Sequence, residues 1–173
     1  MTELEGAVLG VIWSRGPITA YGVRQRFMRS PTHGWSSSKG AIYPAIKRLT
    51  LEGLICSTPD RHDKRATRQL TLTAEGKAAL RHWLADLEDW MGGAIVDPVR
   101  TRINYLGALS RAQQLAFLER AESNAVSALK AMDDSPPDPA AHERWGLAAA
   151  GEGVRAEVET RLGWLRRVRA SLP

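Results

Sequence analysis

Residues 36–72 read SSSKGAIYPAIKRLTLEGLICSTPDRHDKRATRQLTL, and the fold is decided by how this stretch divides. Its first part repeats apolar residues at Ala41, Ile42, Ala45, Ile46 and Leu49, the spacing of a helix with one buried face. Ser36, Ser37 and Ser38 offer capping hydroxyls ahead of it and Gly53 offers a stop, so the pattern predicts a helix over residues 39–52. Pro44 lies in the first turns, where a missing N–H costs least. The second part is different. Residues 54–58 and 67–72 are rich in β-branched and alternating positions and flank a polar tip running from Pro59 to Ala66. Two short strands around a charged tip predict a hairpin.

Working upstream, Thr2 and Glu5 have the spacing of a capping box opening a helix with Leu4, Val8, Val11 and Ile12 on one face. Ser14-Arg15-Gly16-Pro17 ends it. Thr19 caps a second predicted helix to about residue 28, with Tyr21, Val23 and Phe27 as its apolar residues, and residues 30–34 read as a loop. Trp13 and Trp35 are expected in the core. Downstream, Thr73 caps a fourth predicted helix that carries Leu80, Trp83, Leu84, Leu87, Trp90 and Met91 and ends at Gly92-Gly93. Three helices, a hairpin and a fourth helix make a winged helix-turn-helix over residues 1–91.

Residues 92–173 read as a second, helical domain. Asp97-Pro98 starts a short helix, and Ser110 to Gln113 is a second capping box opening a helix to about residue 132. Asp138-Pro139 starts a last long helix that could extend ~45 Å, more than a small core requires. The expected fold is therefore mainly α: a winged helix-turn-helix domain followed by a helical dimerisation domain with room for an effector. Trp83, Leu87, Trp90, Trp145 and Trp164 lie on the helices expected to pair, as packing anchors or as an effector platform.

Charge is unevenly spread. Between Arg15 and Arg81 there are 13 Lys/Arg against 4 Asp/Glu, whereas from residue 91 onward the counts are 11 and 10. A positive field confined to the winged half is the footprint of a phosphate-binding surface. The N-terminal residues of the third helix, Ser37, Ser38, Lys39 and Gly40, are placed to meet double-stranded DNA, with Tyr43 and Lys47 further along the same face. Arg61, His62, Lys64 and Arg65 on the hairpin tip suit phosphates or a narrow minor groove. Arg48 and Glu52 have the i, i+4 spacing of a solvated helix pair.

Other classes find little support. The chain has no run of 18 apolar residues and its first residues do not read as a secretory signal. The single cysteine, Cys56, permits no intrachain disulfide; it reads as a half-buried side chain in a reducing cytoplasm. His33, His62, His82 and His142 share no metal-ligand spacing, and no nucleophile–base or phosphate-loop motif is present, so no metal, cofactor or enzymatic activity is expected.

Four segments carry a family resemblance: Thr19-Ala20-Tyr21-Gly22, residues 40–49 (GAIYPAIKRL), Glu52-Gly53-Leu54-Ile55 and residues 72–80 (LTAEGKAAL). On them the chain resembles the PadR family of transcriptional regulators over about residues 4–90. Ala20 stands where the family often has glycine. The resemblance implies that Tyr43 touches a DNA phosphate and that Lys47 and the wing-tip bases are contacts. Residues 97–173 resemble the helical dimerisation region of longer members, the kind shared with virulence activators. There helices pair across a two-fold axis, and many members release DNA on binding a small aromatic or drug-like effector. The expectation is a homodimeric repressor on a pseudo-palindromic operator. An activator of the virulence type binds DNA in the same way. A winged-helix protein–protein adaptor calls for a neutral recognition face, unlike one carrying Lys39 and Lys47.

Overall fold

The computed structural model describes the chain except residues 31, 37–39, 61–66, 95 and 135–144. It divides into two compact units, Met1–Gly93 and Ala94–Pro173.

The first unit begins with α1 (Glu3–Arg15), opened by the capping box in which Thr2 Oγ accepts from the Glu5 N–H and Glu5 accepts from the Thr2 N–H. A two-residue strand β1 (Ile18–Thr19) follows, then α2 (Ala20–Met28), capped by the Thr19 hydroxyl on the Gly22 N–H at 3.0 Å. A single helical turn, α3 (His33–Ser36), occupies part of the segment expected as loop. The helix α4 (Ile42–Leu51) comes next, then strands β2 (Ile55–Pro59) and β3 (Arg68–Leu72), then α5 (Ala74–Ala85). The sheet order is β1-β3-β2, all antiparallel, with Ile18 opposite Leu70 and Ser57 opposite Leu70 on the other side. The hairpin is thus a wing whose inner strand is paired on both edges.

The core is built from α1, α2, α4 and the wing root. Val8, Leu9, Val23, Ile42 and Ala45 are fully buried, and Ile12 and Leu49 nearly so. Each large aliphatic buried here contributes about 1.5–3 kcal/mol. Phe27 meets Trp35 edge-on at 5.7 Å, which ties α3 to this core.

Several sequence expectations are corrected. The helix expected from residue 39 starts at Ile42, with Gly40 and Ala41 in a turn. Pro44 explains this. A helix begun at residue 39 would need an N–H at Pro44 to reach the Gly40 carbonyl. Begun at Ile42, Pro44 is the third residue and the first helical bond is Ala45 N–H to the Ala41 carbonyl, 3.0 Å. The expected caps Ser37 and Ser38 lie outside the described residues. The helix expected to reach Met91 ends at Ala85, where Asp86, Glu88 and Asp89 oppose the C-terminal dipole, and Asp89–Gly92 is a single 3-10 turn. Trp13, expected in the core, is 65% exposed, and Tyr21, read as an apolar residue of α2, is 60% exposed. Cys56 is exposed, not half-buried.

The second unit is a helical hairpin with a short helix at its start. Asp97 caps α6 (Pro98–Ile103), accepting from the Val99 N–H at 2.8 Å, and pairs with Arg161 at 3.1 Å. A 3-10 turn (Leu106–Ala108) leads to α7 (Arg111–Asp133), which opens with the Ser110–Gln113 capping box. Then comes α8 (Trp145–Ala170). The expected Asp138-Pro139 start lies outside the described residues. Arg111 near Leu172, Glu122 on Arg169 and Asp133 on Arg155 show that α7 and α8 run antiparallel. Leu118 and Leu165 are fully buried between them, joined by Leu106 and Ala121. Because Asp133 at the end of α7 meets Arg155, the first ten residues of α8 project past α7. No described helix is long and apolar enough to cross a membrane.

Candidate nucleic-acid interface

Helix α4 has two clean faces. Ile42, Ala45, Ile46 and Leu49 point inward, while Tyr43, Lys47 and Leu51, spaced by four, form one exposed stripe. Gly53 at φ 73 closes the helix in the left-handed conformation that favours glycine and turns the chain into the wing.

Two neighbouring cations on this helix have opposite fates. The Arg48 guanidinium donates through Nε to Glu5 Oε1 at 2.9 Å, with Nη2 also at 2.9 Å from the same oxygen. Arg48 therefore pairs with α1 rather than with Glu52 as expected. Glu5 is 9% exposed. The Thr2 backbone N–H holds its carboxyl below the ordinary range, and the Arg48 hydrogen bond and charge act the same way against the opposing effect of burial. Arg48 is thus neutralised and braces α4 on α1. Lys47 is exposed and has no hydrogen bond or ion pair with any described residue.

The Tyr43–Lys47–Leu51 stripe forms one wall of an open cleft of about 620 Å³. Thr19 and Tyr21 at the start of α2 form its end, and Ser57, Arg68 and Leu70 of the wing form the other wall. No acidic side chain lines the cleft among the described residues. The Tyr21 hydroxyl accepts from Gln25 at 2.5 Å, which holds the ring at the helix start.

Of the residues expected to touch DNA, Tyr43 and Lys47 stand together on this wall, and Gly40 is exposed in the turn before it, where an added Cβ would meet nothing. Ser37, Ser38, Lys39, Arg61, His62, Lys64 and Arg65 lie outside the described residues. Tyr21 and Arg68 line the cleft and were not expected to. Strand periodicity carried the signal for Arg68, since it shares a face with Leu70 two residues on.

The residues expected at an effector or dimer surface separate. Trp83 packs over Gly6 of α1 and its Nε1 donates to Glu3 at 3.1 Å, so it seals the first core. Trp164 packs on the Leu118–Leu165 core of the second unit. Leu87 and Trp145 are 80% and 84% exposed. The Trp90 side chain lies outside the described part.

Residues 8–82 match the transcriptional regulator PadR-like family. Those residues form a PadR-like domain. A negative transcriptional regulator PadR of Bacillus subtilis is 34% identical over 85 residues, and the match spans about half of each protein, 49% of this chain and 46% of the relative. Among solved structures, B. subtilis PadR in complex with operator DNA superposes with a TM-score of 0.81 at 21% identity, over 99% of this chain and 100% of that one. The same regulator in complex with p-coumaric acid gives 0.73 at 21% identity, over 98% and 94%. A PadR-like regulator from Bacillus cereus gives 0.77 at 16% identity, over 100% and 97%. The fold of the PadR-like regulators therefore extends beyond the matched domain to the helical unit.

Proposed function

We propose that the chain is a homodimeric, sequence-specific DNA-binding repressor of the cytoplasm, with α4 as its recognition helix. One observation carries this reading. The exposed Tyr43–Lys47 face of α4 borders a cleft shared with the wing that no acidic side chain lines among the described residues, while the adjacent Arg48 is withdrawn into a structural pair. A helix presenting a cation with no partner among the described residues and a tyrosine hydroxyl beside a wing suits a major groove and its flanking phosphates. Gly40, in the turn before that helix, meets the groove, and Ser37, Ser38 and Lys39 are assigned to the same contact. Arg61, His62, Lys64 and Arg65 reach the backbone from the wing tip. The B. subtilis relative is a negative regulator and has been seen on operator DNA, which supports repression over activation or an adaptor role.

The second unit supplies the dimer contact. The overhanging first turns of α8 expose Trp145 and Leu147, and a Cβ at Gly146, Gly151 or Gly153 would meet nothing. Small residues beside an exposed tryptophan allow a second copy of the helix to approach closely. Two-fold pairing sets two recognition helices about one helical turn (~34 Å) apart. The p-coumaric acid complex of the B. subtilis regulator supports a small aromatic effector that releases DNA.

Footprinting across the promoters nearest the gene tests the reading. A protected pseudo-palindrome, lost in Lys47→Gln, is expected. Protection absent from all of them, or unaltered in Lys47→Gln, would refute it.

A further inference from the structure

The wing contributes one cation that is better prepared for an anion than any on the recognition helix. Arg68 is the first residue of β3 and stands opposite Pro59 in the ladder. Its Nε donates to Ser57 Oγ at 2.8 Å and its Nη2 donates to the Ser57 carbonyl. Ser57 is the diagonal neighbour on β2, so both bonds hold the side chain flat along the strand pair. Among the described residues the guanidinium is fixed but not neutralised. It remains exposed and pairs with no carboxylate among the described residues. Of its five N–H donors, two are spent on Ser57 and three have no partner among the described residues. It faces the same cleft as Lys47, Tyr43 and Tyr21.

We infer that Arg68 is a phosphodiester contact of the DNA interface, pre-set by Ser57 on the wing side of the cleft opposite Lys47. The inference rests on the DNA-binding reading above and deepens it by adding a residue. An arginine already held in one orientation loses less freedom on binding than a free lysine does. The DNA strand would run between two cationic walls, Lys47 on the helix and Arg68 on the last rung of the wing, with the tyrosine hydroxyls as further donors. A phosphate contact is indifferent to base sequence, which distinguishes it from contacts made at the start of α4.

The test is a salt titration. Binding of the full-length protein to the footprinted operator duplex, and to an unrelated duplex of equal length, is followed by fluorescence anisotropy between about 50 and 200 mM salt. Loss of one phosphate contact should flatten the slope of log K against log salt by about 0.9 for each protomer bound. At about 0.15 M salt that slope change is a weakening of about five-fold per protomer. Arg68→Gln should show this on both duplexes alike, with an unchanged melting temperature because the side chain is exposed. Arg68→Lys, which keeps the charge and loses the fork, should keep the wild-type slope. If Arg68→Gln retains the wild-type slope, or weakens the operator alone, the assignment is wrong. Wild-type protein that shows no salt-dependent binding to either duplex would instead overturn the DNA-binding reading itself.

Discussion

Gly76→Ala should damage the PadR-like domain far more than its size suggests. Gly76 is the third residue of α5 and donates its N–H to the Thr73 hydroxyl at 3.0 Å. A Cβ there would lie 2.0 Å from the Leu54 carbonyl oxygen and 2.9 Å from its carbon, where ordinary contact begins at 3.4 Å. The wing entrance and the helix would have to part by more than an ångström. Neither yields easily. Leu54 packs against the core, and its carbonyl accepts from the Thr73 N–H at 3.2 Å, so separation breaks the bond that seats α5. Overpacking costs about 1–3 kcal/mol and the lost hydrogen bond about 1. Improved helix propensity returns at most about 1 kcal/mol. The net loss should be about 1–3 kcal/mol. Gly10→Ala is the matched control: Gly10 lies inside α1 with nothing within 4 Å of an added Cβ, so it should gain about 0.5–1 kcal/mol. Urea unfolding followed by far-ultraviolet circular dichroism measures both. A Gly76→Ala midpoint equal to or above wild type would refute the close-approach reasoning.

Glu5→Gln should cost about 1–2 kcal/mol at neutral pH, the lower part of the range for charged hydrogen bonds because Arg48 is half exposed. The Glu5 carboxyl is held below its ordinary value of 4.5, so its contribution is complete above that value and fades as pH falls through the lowered one. Urea midpoints of wild type and variant should therefore converge in acid, and a gap that persists or widens there would contradict the pairing. Trp145→Ser should weaken self-association by at least about thirty-fold in Kd, as loss of an interface tryptophan does, measured by sedimentation equilibrium; an unchanged Kd would remove the α8 overhang from the dimer contact. Cys56 is exposed on β2, so a thiol reagent should label it fully in native protein, and protection that requires denaturant to relieve would contradict the strand's orientation.

What could be read in advance follows the range over which each signal acts. The capping boxes at Thr2–Glu5 and Ser110–Gln113 and the Asp97 cap are local hydrogen-bond codes, and all three appear. The outward face of α4 was legible because that helix is buried on one side only. Helix α1 was harder. It contacts α2, α4, α5 and β3, so residues around much of its circumference are covered, and Leu9 was missed while Trp13 was overvalued. Strand β1 is two residues long and exists only because β3 is beside it. The partner of Arg48 was misread because a near acid, Glu52, hid a distant one. Glu5 lies 43 residues away and meets it only after α1 packs on α4. Arg68 was overlooked for a related reason: its orientation comes from Ser57 across the ladder, eleven residues back.

The wing ladder has a practical consequence. Pairing continues to its last rung, Pro59 opposite Arg68, and the Asp60 N–H still reaches the Thr67 carbonyl at 2.8 Å. The backbone hydrogen bond between Asp60 and Thr67 closes the ladder on either side of residues 61–66. Loops of other lengths or charges could be exchanged between Asp60 and Thr67, and each doubling of length would cost only about 0.6 kcal/mol in closure entropy. A library built at this one position would vary what the wing presents while the recognition helix, and the brace that holds it, stayed as they are.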